Sequence, residues 1–397
     1  MTSTDKNKVN YPLATSSWDA SERTALQEVI DSDQYTMGAR VATFEQEFAA
    51  YTGSRHAVMV NSGSSANLLM IAALCFRTER PLQRGDEVIV PAVSWPTTYY
   101  PLQQYGLKLR FVDIDLLTLN YDLEQLAAAV NDRTRLVVAV NLLGNPNDFA
   151  RIRDILSGRD VYLIEDNCES LGAIFEGQQA GTFGVMGSFS SFFSHHISTM
   201  EGGLVVTDDD ELHHLLLCLR AHGWTRDLPN ENYVSGKKSS DPFEESFKFV
   251  LPGYNVRPLE LEGALGSSQL RKLPRFVRDR RRNAAILQEL LGDSQHFYLQ
   301  QEIGQSSWFG FSLVIRRESS FVRSDVVRQL RVAGIECRPI VGGNFAKNPV
   351  LKWMDHEVVG GLPNASHVDS HGLFVGNQET NLEAQLALLV RTLTALS

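Results

Sequence analysis

Asn61-Ser62-Gly63-Ser64-Ser65-Ala66-Asn67 follows the short apolar run Ala57–Val60 and opens the longer one at Ser64–Phe76. A short β-branched run reads as a buried strand, and the longer run as a helix. The turn between them is built of small and hydroxylated residues. Such a turn lets backbone N–H groups and hydroxyls face an anion at the helix N-terminus. The same residue types are also what an ordinary helix N-cap prefers, so the stretch alone leaves both readings open.

The strand–helix unit repeats outward from this point. Further strand-like segments are Glu87–Pro91, Leu109–Asp113, Arg135–Val140, Val161–Glu165, Gly187–Phe193 and Leu204–Thr207. Helical patterns lie between most of them, at Thr97–Gln104, Asp122–Val130 and Asp148–Leu156. Strands this continuously apolar, separated by helices, predict an α/β fold whose mixed, mostly parallel sheet is covered on both faces. Ligands of such sheets bind at the strand-end loops. From about Glu260 the texture changes to a long basic helix pattern, then Trp308–Val314, Ser324–Ala333 and Gly334–Pro339, which reads as a smaller α+β domain. The expected division is an N-terminal arm and helix at 1–30, a large domain at 31–257 and a smaller C-terminal domain at 258–397. Residues 227–246 are polar and loop-like, long enough for a lid or a subunit arm.

Composition narrows the function classes. The chain has 397 residues, 43% hydrophobic and 21% charged, which excludes a disordered chain. With 37 basic and 47 acidic residues the net charge is −10, so no nucleic-acid partner is expected. The basic run Arg275–Arg282 reads as a solvated helix face. No apolar run approaches the roughly 18 residues of a membrane span. The stretch Met1–Lys8 is polar, without the apolar centre of an export signal. Cys75, Cys168, Cys218 and Cys337 lie far apart, which argues against a disulfide or zinc framework and for a cytoplasmic protein.

Two more words carry chemistry. Leu163-Ile164-Glu165-Asp166-Asn167-Cys168-Glu169-Ser170 runs a strand into carboxylates at its C-terminal end. A carboxylate there can hold a proton on a heteroaromatic nitrogen, cap a helix or bind metal, the last disfavoured because no histidine pair is near in sequence. Ser190-Ser191-Phe192-Phe193-Ser194-His195-His196 leads into Met200-Glu201-Gly202-Gly203. Adjacent histidines cannot share one face of a helix or strand, so at most one is expected to enter a site.

In this order and spacing the three words resemble the fold-type I pyridoxal-phosphate enzymes that act on nucleotide sugars, the sugar aminotransferase and dehydratase family. The resemblance extends to Pro91-Ala92-Val93-Ser94-Trp95-Pro96-Thr97, Val140-Asn141-Leu142-Leu143-Gly144-Asn145-Pro146 and Gly253-Tyr254-Asn255-Val256-Arg257-Pro258-Leu259-Glu260. It implies that Gly63 and Ser64 hold the cofactor phosphate, with a hydroxyl from Ser190. It implies that Trp95 stacks on the pyridine ring, that Asp166 pairs with the ring nitrogen, and that Glu169 lies beside the ring. Asn255 would reach the phosphate of a neighbouring subunit, which implies a homodimer.

One departure sets the expected reaction. The family's aminotransferases carry a Schiff-base lysine five residues after the serine matching Ser190, and here that position is His195. No lysine occurs between Lys108 and Lys237. Histidine at this place, with Ser194-His195-His196-Ile197 around it, is similar to the 3-dehydratases of the family. The resemblance implies non-covalently held pyridoxal 5'-phosphate (PLP) and pyridoxamine 5'-phosphate (PMP), with His195 as the catalytic proton carrier. L-Glutamate would supply the amino group, GDP-4-keto-6-deoxymannose would lose its C3 hydroxyl, and ammonia would be released, as in deoxysugar (colitose, O-antigen type) biosynthesis. A related CDP-sugar dehydratase uses an iron–sulfur cluster and a reductase. A cluster needs several nearby thiolates, and here Cys337 stands alone, far in sequence from Cys218 and the other two cysteines, so no metal and no reductase partner are expected. The alternatives are the same chemistry on another 4-keto nucleotide sugar, or a lysine-less cofactor-binding protein. His222 and Arg226 are further candidates near an anionic ligand, without an assigned role.

Overall fold

The computed structural model describes residues 9–396; the Met1–Lys8 stretch and the expectation attached to it lie outside the described residues. Seven strands stand where the apolar runs predict them: β1 (His56–Val60), β2 (Glu87–Pro91), β3 (Lys108–Val112), β4 (Thr134–Val140), β5 (Tyr162–Asp166), β6 (Met186–Ser190) and β7 (Gly203–Thr207). Five further strands are β8 (Phe297–Leu299), β9 (Gly310–Ile315), β10 (Cys337–Arg338), β11 (His356–Val358) and β12 (Gly372–Gly376). The main sheet runs β1-β7-β6-β5-β4-β2-β3-β11. Only β7 is antiparallel to its neighbours. β11 comes from late in the chain and pairs in parallel with β3, His356 opposite Leu109.

Helices cover both faces, as strands buried along their whole length require. They are α1 (Ala20–Ser32), α2 (Ala39–Thr52), α3 (Gly63–Phe76), α4 (Pro96–Gln104), α5 (Leu123–Ala129), α6 (Phe149–Leu156), α7 (Asp210–Leu219) and the long α8 (Glu260–Leu291). α3 is apolar nearly all round and therefore buried, packing Leu69, Met70 and Leu74 with α4, α7 and the sheet. Ser62 caps it, accepting the N–H of Ser65 at 3.1 Å. On the opposite face, Phe44 and Phe48 of α2 and Leu270 and Leu273 of α8 cover Met59, Phe189 and Leu204.

A second, antiparallel sheet, β8-β9-β12-β10, has its own core around Phe297, Phe311, Leu313 and Leu386. Tyr11 belongs to that core, and its hydroxyl donates to the Gly376 carbonyl. The start of the described chain therefore lies against its far end.

Three expectations are adjusted by the structure. The run expected as a strand to Phe193 leaves the ladder at Ser190, because residues 191–202 form an irregular loop pinned by Phe193 N–H to Met200 O (3.0 Å) and Ser191 N–H to Gly202 O (3.0 Å). The basic run is only partly a solvated face: Arg275, Arg278 and Arg282 are exposed, but Arg280 is 3% exposed, on the face of α8 that also buries Phe276, Val277 and Ala284. The polar segment 227–246 contains a two-residue strand pair, Glu231–Asn232 with Gly236–Lys237, and a single helical turn at Pro242–Glu245.

Candidate active site

A cavity of about 540 Å³ opens where β1, β2, β4, β5 and β6 end. Loops after these strands line it with Ser62–Ser64, Ser94, Trp95, Thr97, Val140–Leu142, Asp166, Cys168, Glu169, Ser190 and His195, and the C-terminal sheet region adds Phe309, Arg338 and Phe374. Gly63, Ser64, Trp95, Asp166, Glu169, Ser190 and His195, singled out in the sequence, all lie on this one cavity.

Close approach makes the first wall. A Cβ on Gly63 would sit 2.7 Å from Ser190 Cβ and 2.9 Å from Cys168 Sγ, so only glycine lets the start of α3 reach the end of β6. The first N–H groups of a helix have no partner within it, and here they stand beside the hydroxyls of Ser64 and Ser190. Ser64 donates to Thr97 Oγ1 at 3.0 Å, joining the α3 turn to the loop after β2. Trp95 on that loop is 58% exposed, so its indole face is open to a ligand.

Asp166, at the last position of β5, is buried and heavily tied. Its Oδ2 accepts Asn67 Nδ2 at 2.8 Å and Thr98 Oγ1 at 2.7 Å, while Oδ1 accepts only the Cys168 N–H at 3.2 Å. Oδ1 thus keeps acceptor capacity for a protonated ligand nitrogen. Asn67 is itself oriented by the Ser188 hydroxyl, which donates to its Oδ1 at 2.6 Å.

Glu169 accepts the Leu143 N–H at 3.0 Å. Burial pushes its carboxyl up to about 7, with the N–H of Leu143 opposing and the charge of Asp166 adding. His195 sits on the loop after β6 with Nδ1 buried and unpartnered. Burial, then the charge of Arg280, holds its imidazole down to about 4, against a smaller opposite effect of the Phe192 backbone. It is therefore neutral near pH 7. His196 turns the other way, its Nε2 donating to the Ser307 carbonyl at 3.1 Å.

Asn255 is exposed and lies outside this cavity, on a bridge to Ala221. His222 and Arg226 are exposed, the guanidinium of Arg226 lying over Trp224. Sequence reading missed Asn67, Thr98, Phe309 and Arg338. Asn67 ends a word that was read for its anion-binding start, so a signal was there to follow. Thr98 and Phe309 lie in segments with no chemical pattern of their own.

The donor set fits PLP. A glycine-tight helix N-terminus with two hydroxyls suits a phosphate, a buried carboxylate with a free lone pair suits a pyridinium, and an open indole suits the ring. Among the described residues, no lysine lines the cavity. Among the described residues, no three His, Cys, Asp or Glu side chains converge as a metal site requires.

Comparison with known proteins agrees. The GDP-4-keto-6-deoxy-D-mannose 3-dehydratase of Yersinia pseudotuberculosis is 58% identical over 389 residues, 98% of this chain and 99% of that one. The solved structure of E. coli GDP-4-keto-6-deoxy-D-mannose-3-dehydratase with bound hydrated PLP matches with a TM-score of 0.97 at 58% identity, covering 98% of this chain and 100% of the other. A GDP-4-keto-6-deoxymannose-3-dehydratase structure with a trapped PLP-glutamate geminal diamine matches with a TM-score of 0.96 at 58% identity, covering 97% and 100%. The architecture is that of the fold-type I PLP-dependent transferases. The family model for DegT/DnrJ/EryC1/StrS aminotransferases matches residues 16–384, and the chain belongs to that family.

Proposed function

We propose that this protein is a PLP- and PMP-dependent 3-dehydratase of GDP-4-keto-6-deoxymannose that takes its amino group from L-glutamate and releases ammonia. The observation that carries the reading is His195, neutral and unpartnered at Nδ1, on a cavity that fits PLP and that no lysine among the described residues lines. Glutamate in the trapped PLP-glutamate complex of a similar 3-dehydratase and the identity to named 3-dehydratases support the donor and the substrate.

When bound, the cofactor supplies an electron sink conjugated to an amine. The chain does the rest. The start of α3 with Gly63, Ser64 and Ser190 would hold the phosphate, Trp95 would cover the ring, and Asp166 Oδ1 would accept the ring N–H. Glu169, near half-protonation at pH 7, lies beside the ring and can donate or accept. His195 takes a proton as a neutral base and, once charged, returns it to the departing C3 hydroxyl. Anionic ligands in the cavity raise the imidazole from its depressed value toward neutrality, where it serves both roles. Histidine forms no stable imine, so the amine it leaves free can wait for elimination.

The balance closes without an outside reductant. Glutamate loses two electrons and becomes 2-oxoglutarate, C3 is reduced from carbinol to methylene, the C3 oxygen is matched by the keto oxygen gained, and the amine leaves as ammonia. Neither a metal nor a reductase partner enters this balance.

Asn255, exposed outside its own cavity, would serve the phosphate of a second copy, so the working form in this reading is a homodimer. Exposed Phe243, Phe247 and Phe249, a few residues before it in the chain, support such an interface. Residues 31–257 form the cofactor side of the cavity and 258–397 its opposite wall. No helix among the described residues is long and apolar enough to cross a membrane, and we place the enzyme in the cytoplasm, where nucleotide sugars are made for colitose- and O-antigen-type polysaccharides.

The test is to incubate the protein with PLP, L-glutamate and GDP-4-keto-6-deoxymannose while following ammonia and product mass. Glutamate-dependent ammonia release with loss of one oxygen from the sugar is expected. Conversion of glutamate without sugar turnover would shift the substrate to another 4-keto nucleotide sugar. No reaction with glutamate would favour a lysine-less cofactor-binding protein.

A further inference from the structure

Four consecutive carbonyls, Ser306 to Phe309, each receive a side-chain donor from a different residue. Arg281 Nε reaches Ser306 at 2.8 Å, His196 Nε2 reaches Ser307 at 3.1 Å, Asn377 Nδ2 reaches Trp308 at 2.9 Å and Arg280 Nη1 reaches Phe309 at 3.1 Å. The N–H groups of the same strip are used too, Ser307 to Gly144 O at 2.8 Å and Phe309 to Leu143 O at 3.0 Å. Trp308 holds a φ of 51°, a conformation an aromatic residue adopts only when its surroundings impose it. Gly144 makes room, since a Cβ there would lie 2.3 Å from Trp308 N.

This strip ends in the ring of Phe309, which stands 5.1 Å from the His195 ring and 5.9 Å from the His196 ring. The Phe192 ring meets His195 from another direction at 5.9 Å, nearly perpendicular. In most sites a catalytic imidazole is oriented by a hydrogen bond to its second nitrogen. His195 Nδ1 has no such partner among the described residues, so beside the weak pull of the Phe192 carbonyl it is aromatic packing that sets the ring.

We propose that Phe309, seated by the carbonyl clamp of Arg280, Arg281, His196 and Asn377, is the positioning residue that orients the His195 imidazole. The inference rests on the proposed role of His195 as the proton carrier. Arg280 contributes twice. It anchors the clamp, accompanied by Asn377 and by Glu379 at 3.3 Å, and its charge adds to burial in keeping His195 neutral. Its neighbours facing the two histidines are Arg281 on the same helix and the histidines themselves. Misplacing a proton carrier by about 1 Å costs up to about a hundredfold in rate.

Phe309→Leu removes the ring and leaves the clamp donors intact, while Phe309→Tyr keeps the ring. Steady-state kinetics of the holoenzyme with the GDP-sugar give one readout. The His195 Cε1–H resonance in histidine-labelled protein, assigned with His195→Asn, gives another that needs no turnover. Phe309→Leu is expected to lower kcat by about ten- to a hundredfold with KM little changed and to shift the resonance, and Phe309→Tyr to restore both. Wild-type kcat in Phe309→Leu, or an unmoved resonance, would overturn the proposal. Should the wild-type protein fail to turn over the GDP-sugar, the function reading falls, while the resonance still decides the positioning role.

Discussion

Asn67 donates its side-chain N–H to Asp166 Oδ2 across 2.8 Å and so ties α3 to the end of β5. Thr98, from α4, donates to the same oxygen at 2.7 Å. Two helices on different loops therefore fix the plane of one carboxylate, and the cofactor side of the cavity depends on the pair.

Removing one donor tests this. Asn67→Ala leaves a buried carboxylate short of a partner, and hydrogen bonds to charged groups contribute about 1.5–3 kcal/mol. We expect a lower melting temperature and PLP that washes out faster on dialysis, read by absorbance. An unchanged melting temperature with full PLP retention would show that Thr98 suffices.

Gly63→Ala places a methyl 2.7 Å from Ser190 Cβ and 2.9 Å from Cys168 Sγ. Overpacking of this kind costs about 1–3 kcal/mol and forces the start of α3 away from β6. PLP affinity, titrated by fluorescence quenching, should fall more than thermal stability does.

The Glu169 carboxyl is held up to about 7 against an ordinary value of 4.5, first by burial. The folded protein binds this proton more tightly than the unfolded chain. Its contribution to stability is therefore full below the unfolded value and is lost as pH rises toward 7. Glu169→Gln is permanently neutral and should lose less stability than wild type as pH climbs from about 5 to about 8, measured by denaturant midpoints. Parallel curves for the two proteins would refute the assignment.

His195→Lys returns an amine to the loop after β6. We expect PLP to become covalently attached, trapped by borohydride and located at this residue by mass spectrometry, with dehydration lost. Dehydration at near wild-type rate would remove His195 from the proposed role.

Much of this was legible before any coordinates. Most strands of the main sheet up to β7 are marked by an apolar run, and the site words fall at strand ends because β-to-α turns are short and local. What could not be read depends on partners distant in sequence. Asn67 and Thr98 meet Asp166 only through the stacking of helices on the sheet. Arg280 sits in a run of arginines, and which one turns inward depends on where α8 meets residues 309, 377 and 379. β11 is three residues long and includes His356 and Glu357, a composition with no strand signal. The role proposed for Asn255 would belong to a second copy, so it would have no counterpart within one chain.

The placement of β11 constrains how ligands pass. Because His356–Val358 is woven into the edge of the main sheet beside β3, the C-terminal part of the chain, which also supplies Arg338 and Phe374 to the cavity wall, is stitched to the part that supplies Asp166. The two walls cannot swing apart like the halves of a shell without tearing backbone pairing. A bulky nucleotide sugar must therefore come and go past movable side chains and surface loops, and the wall that carries Asp166 keeps its shape from one turnover to the next.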